Sequence, residues 1–338
     1  MIKMKEIFLG IDIGGTNIFI ALIDNKGRIY EEARFPTDVK KIPGKIISQI
    51  LRETVKIFYS TDIDRLRGIG IGCAGQINQK KGVVEFSPNL FWKNVNIVDR
   101  IRKGLGNINK KFFKIPIVLD NDANAAAWGA YIVELKRKVN NLMCITLGTG
   151  IGGGFVLDGK LYHGASGKAG EVGHINLYPD GLRCNCGNRG CIERYIGSEY
   201  IVERMKEGIK KGKGKKLLRL VNGNIELLTP KILQIGAEQH DSFSISLWNE
   251  IAKELGIILG GIINLLNPEV IIFTGGISRT GDILFEPLKK AIKENCFSYA
   301  FSDVNLMVSK LKDKLGVIGS ALLPLSIIDL SGQRKEDR

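Results

Sequence analysis

The sequence is 338 residues long and has an ordinary composition for a folded protein, with 44% hydrophobic residues, 25% charged residues and a mean hydropathy of +0.03. This length is sufficient for two domains, and no apolar run reaches the length of a membrane span. The net charge of +14 favours anionic ligands, but the basic residues are spread along the chain without a nucleic-acid recognition motif. We therefore expect a cytoplasmic protein with neither a membrane nor a nucleic-acid partner.

The first predicted elements form a hairpin with a glycine-rich turn. Residues 6–12 and 18–24 read as apolar strands, and the sequence Gly-Gly-Thr-Asn lies between them at 14–17. Backbone amides in such a turn can bind a phosphate, Thr16 adds a hydroxyl, and Asp12 at the strand end is a candidate for holding a metal-bound water. An ordinary hairpin turn is the alternative interpretation of this motif taken alone.

The middle of the chain alternates helix and strand and places polar groups at a strand end. Apolar spacing predicts a helix over 43–59, a strand over 67–75 and another over 115–120, with a polar loop around Asn89. Asn121 and Asp122 then begin a helix that continues to Ala130. They suit a helix cap, but a carboxylate at the carboxyl end of a strand is also well placed as a general base.

The second half repeats the arrangement of the first hairpin. An apolar strand, the turn Gly148-Thr149-Gly150 and a second strand predict another phosphate-binding hairpin, which indicates a duplicated fold. Helices with a dense basic run at 210–219, predicted to be a solvated loop, fill residues 197–258. An apolar helix, the stop Asn267-Pro268, a strand and the turn Gly275-Gly276 follow.

One stretch has the spacing of a metal site. Cys184, Cys186 and Cys191 are arranged C-x-C-x4-C, and His174 lies ten residues upstream. Three thiolates and one imidazole complete a closed tetrahedral zinc site, which serves structure because no ligand position is open. Scattered reduced thiols in a loop are the alternative.

In their order along the chain, these motifs resemble the ROK family (repressor, open reading frame, kinase) over residues 6–323. The matching pieces are DIGGTN at 12–17, NDAN at 121–124, GTGIGGG at 148–154, a G-x-x-G-x-A-G-E-x-G-H run ending at His174, CNCGNRGCIE at 184–193 and LNPEVIIFTGG at 266–276. The resemblance implies an α/β, two-lobed, actin-like (ribonuclease H-like) sugar kinase fold with a zinc-stabilised loop. It places residues 1–121 with 315–338 in a small N-terminal lobe. Residues 122–314 form a large C-terminal lobe, with the zinc loop at about 174–191.

The resemblance also implies roles for single residues. Asp122 matches the catalytic base that takes the proton of the attacking sugar hydroxyl. Besides Asp122, the residues that match sugar-contacting positions are Gly75, Asn89, Asn121, Glu171, His174 and Glu193. The nucleotide positions are Asp12, Gly14, Gly15, Thr16, Asn17, Gly148, Thr149, Gly150, Gly275 and Gly276. The zinc ligands are His174, Cys184, Cys186 and Cys191.

The function implied by the resemblance is ATP-dependent phosphorylation of a hexose, with glucose as the first expectation, structural zinc, Mg²⁺ bound with ATP, and a homodimer or homotetramer. Kinases for N-acetylmannosamine, N-acetylglucosamine and fructose share these motifs, and polyphosphate is an alternative donor. Ala74 replaces the family's usual proline, which predicts a less rigid sugar loop. A sugar-responsive repressor carries a winged helix before the first glycine motif, whereas eleven residues precede Asp12 here, so the kinase is expected.

Overall fold

The computed structural model describes residues 6–38, 40–58 and 62–328, and these residues form thirteen strands and eleven α-helices. The strands are β1 (Ile7–Ile13), β2 (Asn17–Asp24), β3 (Ile29–Pro36), β4 (Leu66–Cys73), β5 (Gln76–Asn78), β6 (Val83–Ser87), β7 (Trp92–Asn96), β8 (Ile117–Asn121), β9 (Leu142–Leu147), β10 (Ile151–Leu157), β11 (Lys160–Leu161), β12 (Val270–Thr274) and β13 (Asn305–Val308). The helices are α1 (Pro43–Phe58), α2 (Ile97–Ile108), α3 (Asp122–Gly129), α4 (Glu193–Ile196), α5 (Ser198–Lys210), α6 (Lys215–Leu220), α7 (Pro230–Glu238), α8 (Ser242–Leu266), α9 (Asp282–Asn295), α10 (Ser298–Ser302) and α11 (Leu315–Leu322).

The first sheet has the strand order β3-β2-β1-β4-β8. β1 and β2 pair as the predicted antiparallel hairpin, whereas β4 runs parallel to both β1 and β8. Parallel strands need covering on both faces, and β1 and β4 are accordingly almost continuous runs of buried residues. The apolar helix α11 packs against β1, β4 and α3 and covers one face of this sheet.

A second five-stranded sheet has the order β11-β10-β9-β12-β13, and a small sheet has the order β5-β6-β7. The long helix α8 begins at Asp241, whose side chain accepts a hydrogen bond from the backbone N–H of Ser244. It ends at Asn267 in the left-handed conformation, with φ of 41°, directly before Pro268. The predicted stop at Asn267-Pro268 is therefore confirmed.

The chain forms two compact units. Among the described residues, unit 1 contains those within 6–144, 154–170 and 309–328, and unit 2 contains 145–153 and 171–308. The lobe boundaries expected from the family resemblance, after residues 121 and 314, stay a prediction. Both units contribute residues that the sequence marks as functional.

Two predictions about the surface can be compared with the described residues. No helix within 6–38, 40–58 and 62–328 has the length and apolar character needed to cross a membrane. The basic run at 210–219 is only partly a loop, because residues 215–220 form α6. Helix α6 buries its own residue Leu217. The basic side chains of this run that remain exposed, as expected, are Lys213, Lys215 and Arg219.

Candidate active site

The first part of the site lies where parallel strands of unit 1 end. The register pairs Asp12 of β1 with Gly72 of β4, and Gly72 with Asp120 of β8. The carboxyl ends of parallel strands meet at one edge of the sheet, which is where open α/β sheets bind ligands. Asp12, Asp120, Asn121 and Asp122 are therefore gathered at this edge, as the sequence predicted for the strand-to-helix junction.

Asn121 and Asp122 form the junction between β8 and α3. The Oδ1 atom of Asn121 accepts hydrogen bonds from the backbone N–H groups of Ala123 (2.8 Å) and Asn124 (3.4 Å), so Asn121 caps the helix. Its Nδ2 donates to the carbonyl oxygen of Gly75 at 3.1 Å. The capping interpretation is correct for Asn121, and the same side chain ties the Gly75 loop to the junction.

The acids Asp12 and Asp122 interact electrostatically. Burial and, after it, the negative charge of Asp122 raise the pKa of Asp12, the positive charge of Arg34 lowers it, and the net pKa is about 7. Strongly raised acid pKa values are concentrated at functional sites, because stability alone does not favour a buried pair of like charges. A cation bound at this edge would relieve the repulsion.

The first glycine hairpin is closed by its own backbone and braced by Thr37. The N–H of Gly14 donates to the carbonyl oxygen of Asn17 at 3.0 Å. Thr37 donates its hydroxyl to the carbonyl of Gly14 at 2.7 Å and its N–H to that of Thr16. A Cβ atom on Gly15 would lie 3.1 Å from Cβ of Asn89, so the hairpin and the predicted sugar loop are neighbours.

The second glycine hairpin, in unit 2, is held by residues that follow the cysteine stretch. The N–H of Gly148 donates to the carbonyl of Gly150, and Ser198 donates its hydroxyl to the carbonyl of Gly148 at 2.6 Å. Oε2 of Glu193 accepts from the N–H of Ile151 at 2.8 Å and would lie 2.4 Å from any Cβ at position 150. A side chain at position 150 would displace the Glu193 carboxylate, and Glu193 contacts the predicted phosphate hairpin directly.

The predicted adenosine turn lies beside the same hairpin. Gly275 follows β12, and a Cβ atom there would lie 2.3 Å from the carbonyl oxygen of Leu147, the last residue of β9. Gly276 is the next residue and begins a short 3-10 turn. The structure therefore brings the two predicted nucleotide motifs of unit 2 together, although more than 120 residues separate them in the sequence.

The predicted metal ligands converge. One ligand atom from each of His174, Cys184, Cys186 and Cys191 lies within 4.8 Å of every other. The Sγ atoms of Cys186 and Cys191 are 3.6 Å apart, and Sγ of Cys184 is 3.8 Å from Nδ1 of His174. A tetrahedral ion with Zn–S bonds of about 2.3 Å separates two sulfurs by about 3.8 Å, so the donors fit zinc.

The backbone of the cysteine loop suits a convergent ligand set. Without a metal, burial raises the pKa of the Cys191 thiol to about 12 and also raises that of Cys184, so a binding ion has to displace their protons at neutral pH. Gly187 and Gly190 adopt φ of 97° and 70°, the left-handed backbone that lets this short loop turn its sulfurs inward.

Glu171 precedes the 3-10 turn that carries His174. Burial raises the pKa of Glu171, the nearby His174 lowers it and the charge of Glu193 raises it again, which leaves it above its ordinary value of 4.5. Glu171, His174 and Glu193 are therefore within electrostatic range of one another in unit 2. Two carboxylates beside an imidazole form a polar surface suited to hydroxyl groups.

Two features of the site were missed in the sequence. Asp120 accepts a hydrogen bond from His163 at 2.7 Å, and Glu193 contacts Ile151 as well as serving as a candidate sugar ligand. Neither pair is close in the sequence. His163 is one of three histidines in the chain, which is the signal that could have drawn attention to it.

Comparison with known proteins identifies the family. The model of the ROK family matches residues 8–326. A glucokinase of Streptomyces coelicolor is 32% identical over 316 residues, which cover 93% of this chain and 96% of that protein. A xylose repressor of Caldicellulosiruptor bescii is 31% identical over 94% of this chain and 78% of that protein.

A solved structure agrees with the fold. The ROK family glucokinase from Streptomyces griseus, in complex with glucose and AMPPNP, has a TM-score of 0.80 and 31% identity and covers 94% of this chain and 98% of its own. The chain belongs to the ROK family and has the actin-like α/β fold that the motifs predicted.

Proposed function

We propose that this protein is an ATP-dependent glucokinase that transfers the γ-phosphoryl group of ATP to a hydroxyl of glucose. The observation that carries the proposal is the placement of Asp122 at the β8–α3 junction, next to a second acid, Asp12, whose pKa is raised to about 7. Asp122 is available as the base, and Asp12 can face a cation. The sugar phosphotransferase class is shared with the ROK glucokinase relatives.

Phosphoryl transfer depends on positioning and charge neutralisation more than on covalent chemistry by the protein. Asp122 accepts the proton of the attacking sugar hydroxyl, a role expected to contribute about 10²- to 10⁴-fold to the rate. Backbone N–H groups of the 14–16 and 148–150 hairpins donate to phosphate oxygens, and the turn at 275–276 contacts the adenosine. Magnesium bound with ATP supplies charge neutralisation, and Asp12 is the carboxylate proposed to hold it.

The sugar is proposed to be held by hydrogen bonds with polar side chains and with backbone groups, contributed by Gly75, Asn89, Asn121, Glu171, His174 and Glu193. If Nδ1 of His174 binds zinc, its Nε2 carries the proton and donates to a sugar hydroxyl. Zinc is structural here, because the four protein donors fill a tetrahedral site, and its consequence is a fixed orientation of His174.

A coupled assay of ADP release over a panel of hexoses and N-acetylhexosamines tests the proposal. We expect the highest kcat/KM with glucose and ATP. A higher kcat/KM for N-acetylmannosamine, N-acetylglucosamine or fructose would reassign the substrate within the family. Replacing ATP with polyphosphate tests the donor, with the sugar phosphate measured directly because polyphosphate releases no ADP. No phosphorylation of any sugar would overturn the kinase proposal.

A sugar-responsive repressor is the second candidate, favoured by the likeness to the xylose repressor of Caldicellulosiruptor bescii. The two candidates differ in what a sugar changes. A repressor alters its affinity for a specific DNA site when the sugar binds. Any DNA binding that came from the net charge of +14 alone would be non-specific and would weaken steeply with salt. Sugar-dependent DNA binding at 150–200 mM salt (about physiological), without ADP release, would favour the repressor.

A further inference from the structure

Asp120, the residue before Asn121, has a buried carboxylate that accepts four hydrogen bonds. The residue is 2% exposed. Its Oδ1 accepts from the backbone N–H of Asn121 at 2.7 Å and from Nδ2 of Asn124 at 2.9 Å. Its Oδ2 accepts from Nε2 of Gln79 at 2.5 Å and from Nε2 of His163 at 2.7 Å. An ionised carboxylate removed from water needs such donors, and here they come from three separate segments.

The two bonds to Oδ1 lie on either side of Asp122 in the chain. One fixes the backbone just before Asp122, and the other fixes a side chain in the first turn of the helix just after it. The direction of a side chain follows from its local backbone, so these bonds constrain the direction of the Asp122 carboxylate. Rotation of the Asp120 carboxylate would weaken both bonds at once.

His163 forms a hydrogen bond with the other oxygen of Asp120, Oδ2. It follows β11 in the chain and belongs to neither β8 nor α3. Because a carboxylate only accepts, the 2.7 Å contact requires the proton on Nε2 of His163. Gln79 Nε2 also lies 2.7 Å from that nitrogen, so the amide of Gln79 directs its hydrogen to the carboxylate and not to the imidazole.

His163 is the one of the four donors that can carry a positive charge. Burial lowers the pKa of His163, but the hydrogen bond and the charge of Asp120 outweigh it and leave the pKa above 6.5. Charge-assisted hydrogen bonds are about twice as strong as neutral ones. Protonation of His163 therefore strengthens its bond to Oδ2 of Asp120, which none of the other three donors can do.

We propose that His163 is a positioning residue for phosphoryl transfer, which holds Asp120 and, through it, the β8–α3 junction that orients Asp122. The inference rests on the proposed function, in which Asp122 is the base. Loss of the His163 bond lets the Asp120 carboxylate rotate, and the base then samples directions away from the attacking hydroxyl. A misplacement of this kind lowers kcat more than it changes the binding of ATP.

His163→Gln and His163→Asn form a matched pair, since both introduce a primary amide and they differ by one methylene. The amide nitrogen of Gln reaches the position of imidazole Nε2, whereas that of Asn ends near Nδ1, short of Asp120. The imidazole is 27% exposed, so both amides can be accommodated. We expect His163→Gln to keep most of the wild-type kcat with glucose. We expect His163→Asn to lose about 10- to 100-fold in kcat with the KM for ATP unchanged.

Amide hydrogen exchange at residues 121–124 gives a second measurement that needs no activity. We expect faster exchange at Asn121, whose N–H is bonded to Asp120, in His163→Asn but not in His163→Gln. His240→Asn, at an exposed turn, is the control and should change neither quantity. If the wild type phosphorylates no sugar, the proposed function fails and exchange alone decides the positioning role. If the wild type is active, equal kcat values for His163→Gln and His163→Asn would overturn the positioning role. If the wild type is inactive, equal amide exchange rates at Asn121 in the two variants would overturn it.

Discussion

At the scale of single residues, the raised pKa of Asp12 makes the stability of the folded protein depend on pH. Its side chain lies partly buried at the end of β1, near Asp122, and its pKa is raised from 3.8 to about 7. Between these two values the unfolded chain releases a proton that the folded protein retains. The free energy of unfolding therefore falls as pH rises from about 4 to about 7, and this loss is complete above the folded pKa.

Replacing Asp12 with Asn removes this penalty. Without nucleotide or magnesium, we expect Asp12→Asn to be more stable than the wild type at pH 8, by up to about 4 kcal/mol for a three-unit shift, and to differ little at pH 4. Urea unfolding at the two pH values measures the effect. Asp282→Asn, an exposed acid, is the control and should show no such pH dependence. An Asp12→Asn protein less stable than the wild type at pH 8 would contradict the assignment.

Glu193 is expected to affect both substrates, because its Oε2 accepts from Ile151 N–H in the second phosphate hairpin. Glu193→Gln keeps an acceptor for this N–H, whereas Glu193→Ala removes it. We predict that Glu193→Ala raises the KM for ATP by about 3- to 10-fold, as expected for one lost hydrogen bond, and that Glu193→Gln does not. Both variants should raise the KM for the sugar. Steady-state kinetics with each substrate varied in turn measures both KM values. An equal KM for ATP in the two variants would contradict a role of the Glu193–Ile151 hydrogen bond in ATP binding.

The limits of sequence reasoning are clear for single residues. The position of Asp122 at the β8–α3 junction could be predicted because its strand and helix are local in the chain and the motif is specific. The contacts of Asp120 with His163 and of Ile151 with Glu193 each join residues more than 40 positions apart. No periodicity or spacing encodes such pairs, because they depend on how the elements pack.

At the scale of elements, the cysteine loop supports the residues around it. Its ligand atoms converge, and the chain that leaves it continues directly into Glu193 and Ser198, which hold the second glycine hairpin. Loss of a metal from this loop is therefore expected to disturb nucleotide binding as well as sugar binding. A structural zinc contributes folding free energy directly to the segment that it organises.

The prediction for this element is one tightly bound zinc per chain. Replacing both Cys184 and Cys186 with Ala removes two of the four donors, so we expect elemental analysis to find almost no zinc and thermal unfolding to begin at a lower temperature. Cys296→Ala is the control, because Cys296 lies outside the cluster and its loss should leave the zinc in place. Full retention of zinc by the double variant would show that the metal is bound elsewhere.

Elements with one dominant pattern were predicted well, and those with mixed patterns were not. β1, β2 and β4 are buried apolar runs bounded by glycine turns, and helical spacing identified α1. The edge strand β3 contains Glu31, Glu32 and Arg34 and was missed, since charges on an exposed edge hide its alternation. The strands β5, β6 and β7 are three to five residues long, too short to give a periodic signal.

At the scale of the whole molecule, the ordered set of motifs identified the family from sequence. Each glycine turn alone fits an ordinary hairpin, but their succession along 338 residues is specific, and the family model and the Streptomyces griseus structure confirm it. The identity of the sugar, the donor and the oligomeric state could not be read in the same way. They depend on loop contacts and surfaces that share no fixed spacing, so they stay predictions.

The central claim is that Asp122 is the base of a glucose phosphotransferase, and its most direct test is kcat for glucose phosphorylation by Asp122→Asn beside Asp282→Asn. Both aspartates begin a helix, so both substitutions remove the same favourable charge at a helix N-terminus, worth about 0.3–1 kcal/mol. We predict that Asp122→Asn loses about 10²- to 10⁴-fold in kcat, whereas Asp282→Asn keeps the wild-type rate. Near-normal turnover by a folded Asp122→Asn protein would contradict the assignment.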